Sequence, residues 1–147
     1  MSIWWSLHLR REAASVPLAR RLLLGTMETA GVDPDISFDL SVALSEACAN
    51  AVEHGGESGL QDSTAAYRVT AYLDGEKCRI EVTDSGPGFP PVRSARPAPV
   101  EAENGRGLCL IRELADHVQI GNTPGCGAVV SFDKILKWRK DAPLMAV

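Results

Sequence analysis

The order in which hydrophobic periodicity changes along the chain strongly limits the fold. Apolar residues recur every three or four positions in residues 15–30 and again in residues 34–54, which predicts two consecutive amphipathic helices. Gly31 provides a C-terminal stop for the first helix, and Asp33 with Pro34 provides an N-cap and a first position for the second. The second apolar stripe comprises Ile36, Leu40, Ala43, Leu44, Ala47 and Ala51.

The remaining elements are strands in hairpins and a third helix. Alternation of apolar and polar residues predicts strands over 3–9, 67–73, 78–84, 118–120 and 128–132, and a helix is predicted over 108–117. Helices that cluster in sequence, with strands that come in hairpins, favour an α+β fold. We expect an α/β sandwich in which helices cover one face of a mixed, largely antiparallel sheet.

Residues 85–105 interrupt this pattern with about twenty residues that include five prolines. Loops of this length inside compact domains are usually functional lids or disordered segments. The 147 residues therefore predict one domain, 1–147, with a lid at about 85–105 and a short tail at 134–147.

Composition excludes several classes of partner. Fifteen Lys and Arg against nineteen Asp and Glu give a net charge of −4, which does not favour direct binding of nucleic acid or of an anionic membrane surface. No apolar run reaches the roughly 18 residues of a membrane span, and the first residues lack signal-peptide features. The four cysteines form no CxxC pair, which favours free thiols in the cytoplasm.

Asp84 is the first candidate site residue. Period two places it on the same strand face as Cys78, Ile80 and Val82, where a carboxylate is costly unless a group donates hydrogen bonds to it. Gly86 and Gly88 follow and would let another group approach the backbone closely. Asp84 could accept a hydrogen bond from a ligand amino group, or it could cap its own turn.

Two other segments carry weaker signals. Glu46, Asn50 and Glu53 form one row on the second helix beside its apolar stripe, which suits either a Mg²⁺ ligand with a general base or an ordinary solvated face. The run 104–107, Asn-Gly-Arg-Gly, opens the third helix and could bind an anion or act as a hinge. Together the three segments describe a site for a magnesium nucleotide.

In this order, the motifs resemble the three boxes of the GHKL ATPase and kinase superfamily. Residues 46–54 resemble its N box, 84–89 its G1 box and 105–111 its G2 box. The chain is most similar to the anti-sigma factor serine/threonine-protein kinases of the RsbW and SpoIIAB type. This resemblance implies a Bergerat ATP-binding fold, with ATP and Mg²⁺ bound.

The resemblance also implies a role for each matching residue. Glu46 matches the catalytic base, Asn50 the Mg²⁺ ligand, and Asp84 the acceptor of the adenine amino group. Arg20 matches a position that contacts protein partners. The residues that match the adenine and phosphate loops are Gly86, Gly88, Gly105, Arg106, Gly107 and Leu108.

The implied function is phosphorylation of an anti-sigma factor antagonist of the STAS type and sequestration of a sigma factor, by a cytoplasmic homodimer. One departure concerns the last strand, where many relatives have Gly-Thr and this chain has Gly127-Ala128. The missing hydroxyl leaves an alternative open, in which the chain is an ATP-binding regulator that acts by protein contact without kinase activity.

Overall fold

The computed structural model describes residues 2–54, 66–84, 103–123 and 127–140. The elements in chain order are β1 (Ile3–Arg10), α1 (Ser15–Ala30), α2 (Pro34–His54), β2 (Ala66–Leu73), β3 (Lys77–Asp84), α3 (Glu103–Leu114), β4 (His117–Thr123) and β5 (Gly127–Ile135).

The five strands form one sheet in the order β1-β2-β3-β5-β4. Every neighbouring pair in this sheet is antiparallel, so the sheet that the sequence predicts as mixed is antiparallel throughout its described pairs. α1 packs on α2, and α2 packs on α3 and β3. The α+β sandwich with an antiparallel sheet and three helices is thus confirmed.

Period-two alternation decides which strand residues enter the core. Tyr67, Val69, Ala71 and Leu73 of β2 are buried, whereas Arg68 and Tyr72 between them are exposed. The helices contribute small residues at the contacts, such as Ala19, Ala43 and Ala47, which let them approach closely. Burial of this apolar surface is the main stabilising term of the fold.

The boundary between α1 and α2 follows the sequence prediction. Gly31 has φ 89° and ψ 25°, and its N–H donates to the carbonyls of Met27 and Glu28. This left-handed conformation suits glycine, which has no Cβ to clash. At the start of α2, Asp33 Oδ1 accepts from the N–H of Asp35 at 2.8 Å, as an N-cap does.

The predicted bounds of the third helix, 108–117, are wrong at both ends. α3 begins at Glu103, because glycine and polar residues at 103–107 enter the helix without an apolar residue to reveal them. It ends at Leu114, because His117 pairs with Asp133 in the β4–β5 ladder. The end of the predicted lid therefore overlaps α3.

The predicted tail, 134–147, is also too long. β5 continues to Ile135, Leu136 is buried, and Trp138 forms an isolated bridge with Val32. The N–H of Arg139 donates to the Gly31 carbonyl at 2.8 Å. Residues through 139 thus pack against the α1–α2 connection, a tertiary contact that local sequence does not reveal.

Candidate functional site

The row of polar residues on α2 lies at the edge of the core. Glu46 and Asn50 are half-buried, whereas Glu53 is exposed. Their neighbours Ala47 and Ala51 are buried at 1% and 3% exposure. The helix is therefore anchored by its apolar stripe, and the side chains of Glu46 and Asn50 are held one turn apart beside that stripe.

Glu46 lies against the first turns of α3. A Cβ added to Gly107 would lie 3.1 Å from Glu46 Oε2 and 3.9 Å from Glu46 Cβ. The absence of a side chain at Gly107 is what lets this carboxylate lie so close to the α3 backbone. The structure thus brings together Glu46 and Gly107, which the sequence analysis placed in two different motifs.

Because α3 begins at Glu103, Gly105 lies in the first turn of the helix, whereas Arg106 and Gly107 lie just beyond it. N–H groups in the first turn of a helix have no intrahelical partner, and the helix dipole makes that end positive. Leu108 is half-buried against the core, and Ile111 is fully buried, so α3 is fixed by its apolar face. The unpaired N–H groups of α3 therefore end at Gly105, two residues before the Gly107 position that Glu46 contacts.

Asp84 is the last residue of β3 and is 8% exposed. Its Oδ1 accepts a hydrogen bond from the backbone N–H of Ala128 at 3.2 Å, which joins the end of β3 to the start of β5. The period-two prediction that this carboxylate lies on the core face is confirmed. One donor that makes its burial tolerable is therefore the backbone of β5.

Two of the candidate glycines, Gly86 and Gly88, lie outside the described residues, as does most of the predicted lid. For Gly105 and Arg106 the structure describes the helical backbone. Within the described ranges, no group of three or more His, Cys, Asp and Glu side chains is placed to hold a metal ion. The same ranges contain no helix with both the length and the apolar content to cross a membrane.

Arg20 lies on a different surface. It is exposed on α1 and lines a groove of 450 Å³ with residues from α1, α2 and the segment after β5. The lining comprises Arg20, Leu24, Glu28, Val32, Pro34, Ser37, Phe38, Ser41 and Arg139. Phe38 at its rim is 58% exposed. Neither Glu46 nor Asp84 belongs to this lining.

Some buried polar groups were not predicted from the sequence. The Tyr67 hydroxyl is hydrogen-bonded to Ser15 Oγ, and the thiol of Cys48 is also fully buried. Burial raises the pKa of Cys48 to about 12 and raises the pKa of Tyr67 above its ordinary value. The one available signal was a tyrosine, rather than a phenylalanine, at a core position of β2.

Comparisons with known proteins show which family this chain belongs to. The model of the histidine kinase-like ATPase domain family matches residues 9–134. The chain belongs to this family, and the resemblance to the GHKL superfamily is confirmed.

Two curated relatives narrow the similarity. The anti-sigma F factor of Thermoanaerobacter sp. (strain X514) is 31% identical over 115 residues, which cover 73% of this chain and 77% of that protein. The serine-protein kinase RsbW of Bacillus pumilus (strain SAFR-032) is 33% identical over 132 residues, which cover 82% of this chain and 78% of that protein.

Two solved structures share the fold. The RsbU and RsbW domains of Rv1364c from Mycobacterium tuberculosis match 90% of this chain with a TM-score of 0.65 and 22% identity. This chain spans 33% of that one. The histidine kinase domain of a blue-light activated histidine kinase from Erythrobacter litoralis EL346 has a TM-score of 0.56 and 16% identity. The match covers 84% of this chain and 60% of that one.

Proposed function

We propose that this chain binds ATP and transfers its γ-phosphoryl group to a serine or threonine hydroxyl of a partner protein. The observation that carries the proposal is the contact of Glu46 with the first turns of α3, 3.1 Å from the position of a Gly107 Cβ. A candidate base and a candidate phosphate site are thereby adjacent, which is the arrangement that phosphoryl transfer needs.

The two ends of the proposed nucleotide site have different chemistry. Asp84 would accept a hydrogen bond from the adenine amino group, and the N–H groups at the start of α3 would donate to phosphate oxygens. Asn50 fits a Mg²⁺ ligand, because Mg²⁺ takes few protein oxygens and keeps waters and phosphate oxygens as its other ligands. When bound, Mg²⁺ would neutralise charge on the phosphates.

The proposed transfer uses Glu46 as a general base. Its carboxylate accepts the proton of the serine or threonine hydroxyl while the hydroxyl oxygen bonds to the γ-phosphorus. The bond from that phosphorus to the bridging oxygen breaks, and ADP leaves with the electron pair. The chain's main contribution is to orient the groups and to stabilise charge by fixed donors.

The relatives' names support the class of partner. One is called an anti-sigma F factor and another a serine-protein kinase, which supports a sigma factor as the sequestered protein and a serine as the acceptor. In this proposal the substrate is an antagonist of the STAS type. The groove beside Arg20 is a surface on which such a protein could dock, since it combines cationic and aromatic side chains. We place this activity in a cytoplasmic homodimer.

The decisive experiment is mass spectrometry of a candidate antagonist after incubation with the chain and Mg-ATP. Wild type should add one phosphoryl group to a serine or threonine. Glu46→Gln should still bind ATP and transfer nothing, whereas Glu113→Gln, an exposed change on α3, should behave as wild type. Transfer by Glu46→Gln at the wild-type rate would refute the assigned base.

One observation favours a second function, ATP-dependent regulation without transfer. Ala128, where many relatives have threonine, offers Asp84 a backbone N–H and no hydroxyl. Under this alternative, the chain binds ATP and changes its affinity for a partner, and no phosphorylated antagonist forms. The same incubation, followed by a partner-binding titration with and without ATP, separates the two.

A further inference from the structure

The turn between β1 and α1 is held in place by hydrogen bonds of its own. The N–H of Glu12 donates to the Arg10 carbonyl at 2.8 Å. Ser15 donates to the Glu12 carbonyl twice, through its N–H at 3.0 Å and through its hydroxyl at 2.7 Å. Ser15 is buried, and its Oγ is also hydrogen-bonded to the hydroxyl of Tyr67 on β2. The side chain of Arg11 therefore extends from a backbone that is fixed on the sheet.

Arg11 spans the distance from this turn to the end of α2. Its Nε donates to the Val52 carbonyl at 2.9 Å, in a partly buried hydrogen bond that joins residues 41 positions apart. Since α2 ends at His54, Val52 carries one of the last carbonyls, which have no partner within the helix. A cation at this end also meets the negative end of the helix dipole. Arg11 is thus a C-terminal cap that another part of the chain supplies.

The capped end of α2 carries the candidate Mg²⁺ ligand. Asn50 lies two residues before Val52 and is half-buried at the edge of the core. The ends of helices unwind more readily than their interiors. Loss of the cap should therefore disturb Asn50 more than Glu46, which lies about one turn further into the helix.

We propose that Arg11 is a positioning residue, which caps the C-terminus of α2 and thereby holds Asn50 in the position that binds Mg²⁺. This inference rests on the proposed function and deepens it. ATP with its metal requires Asn50 in that position, whereas ATP without metal does not. Arg11 therefore acts on the part of the ATP affinity that Mg²⁺ adds.

Calorimetric titration with ATP, in Mg²⁺ and in EDTA, tests the proposal on wild type and Arg11→Met. The metal gain is defined as the ratio of the ATP affinity in Mg²⁺ to the ATP affinity in EDTA. Loss of the hydrogen bond to Val52 should lower the metal gain roughly threefold to tenfold. The affinity for ATP in EDTA should stay within about twofold of the wild-type value.

Two further substitutions test whether the hydrogen bond or the charge matters. Arg11→Lys keeps a cation that can donate to a carbonyl at the helix end, so it should retain most of the metal gain. Arg10→Met is the matched control, because it removes the neighbouring arginine, which is exposed on β1. It should leave the metal gain unchanged. In an Asn50→Ala background, Arg11→Met should lower the metal gain no further, since Arg11 acts through Asn50.

Hydrogen exchange followed by mass spectrometry tests the cap in the ligand-free chain. Arg11→Met should speed the exchange of amides in the last turn of α2 and leave those of α1 unchanged. Faster exchange throughout the chain would refute the proposal, because it indicates general loosening of the fold. If Arg11→Met does not fold, Arg11→Gln, which removes the charge and keeps a polar side chain, takes its place in both measurements.

The outcomes separate this inference from the proposed function. If wild type shows a metal gain and Arg11→Met retains it in full, the positioning role is wrong and the nucleotide site stands. A larger loss of affinity in EDTA than in Mg²⁺ would also refute the role. It would indicate direct attraction between the guanidinium and phosphate, which is stronger for the more highly charged free nucleotide. If wild type binds ATP equally well with and without Mg²⁺, or not at all, the Mg²⁺ site of the proposed function fails and the positioning role fails with it.

Discussion

Gly107 and Glu46 are so close that a single methyl group would disturb their contact. A Cβ at Gly107 would lie 3.1 Å from Glu46 Oε2, which is tighter than ordinary van der Waals separation. The atom that it would meet is at the far end of a flexible side chain, so the carboxylate would move and the backbone would not. This makes Gly107→Ala a test of where Glu46 must be, rather than of whether the chain folds.

Gly107→Ala should therefore impair transfer without lowering stability. Alanine favours the helix over glycine by about 1 kcal/mol, which offsets the small displacement of Glu46. Misplacement of a catalytic group by a few tenths of an ångström should slow phosphoryl transfer roughly tenfold. Initial rates by mass spectrometry and thermal melts of both proteins measure the two effects.

The matched control is Gly25→Ala, which makes the same change in α1. A Cβ at Gly25 would meet nothing within 4 Å, so this variant should gain stability and keep the wild-type rate of transfer. Equal rates for the two variants would mean that the position of the Glu46 carboxylate does not limit transfer.

Asp84→Asn should change which base the site prefers. The amide can keep the bond from the Ala128 N–H through its oxygen, but it adds an N–H₂ donor where the carboxylate was acceptor only. Adenine, whose amino group donates, should bind at least about tenfold more weakly. Hypoxanthine, whose 6-oxo group accepts, should gain relative to adenine.

The measurement is competition between ATP and inosine triphosphate against a fluorescent nucleotide, for wild type and Asp84→Asn. The ratio of the two affinities should shift toward inosine triphosphate in the variant, while its ligand-free melting temperature stays close to that of wild type. An unchanged ratio would show that Asp84 does not contact the base.

Local signals predicted the parts of this fold that local chemistry determines. Gly31 ends α1 through its left-handed conformation, and Asp33 begins α2 through a hydrogen bond two residues away, so both were visible in the sequence. The core position of Asp84 followed from period two, because the strand is regular up to its last residue.

Two of the features that were not predicted depend on residues far apart in the chain. The segment after β5 is held by Val32 and Gly31, more than one hundred residues earlier, and no periodicity marks such a contact. The hydrogen bond between Ser15 and Tyr67 requires α1 and β2 to meet. The start of α3 was missed because glycine at 105 and 107 predicts a loop when propensity alone is considered.

The hydrogen bonds of Asp74 in the β2–β3 hairpin lead to a prediction about stability. Its Oδ1 accepts from the N–H groups of Glu76 and Lys77 at 2.8 and 2.9 Å, and these bonds lower the pKa of the carboxyl below its ordinary 3.8. Asp74→Ala removes both acceptor contacts and should reduce the free energy of unfolding by about 1 kcal/mol at pH 7. Urea unfolding measures the loss.

The pH dependence of that loss has a definite sign. Because the carboxyl pKa is lower in the folded chain, its stabilising effect is present above the unfolded value and is lost as pH falls through the folded one. The gap between wild type and Asp74→Ala should therefore narrow on going from pH 7 to pH 3. A gap that is unchanged or wider at pH 3 would contradict this account of the turn.

In the part of the chain that the structure describes, two buried thiols lead us to expect a loss of stability at alkaline pH. Burial raises the pKa of Cys78 from 9.0 to about 12, with nearby Asp133 and Asp74 adding to the shift, and burial does the same for Cys48. Between these values the folded chain keeps protons that the unfolded chain loses, so the free energy of unfolding falls as pH rises above 9.

Removal of one thiol should make this fall less steep. Cys78→Ala leaves a cavity whose cost is the same at every pH, so the difference in slope between variant and wild type reports the thiol itself. Over pH 9 to 10.5 the variant should lose about 1–2 kcal/mol less than wild type in urea unfolding under reducing conditions. Cys109→Ala, at an exposed position of α3, should retain the wild-type slope. Parallel slopes for wild type and Cys78→Ala would mean that Cys78 reaches water in the folded chain.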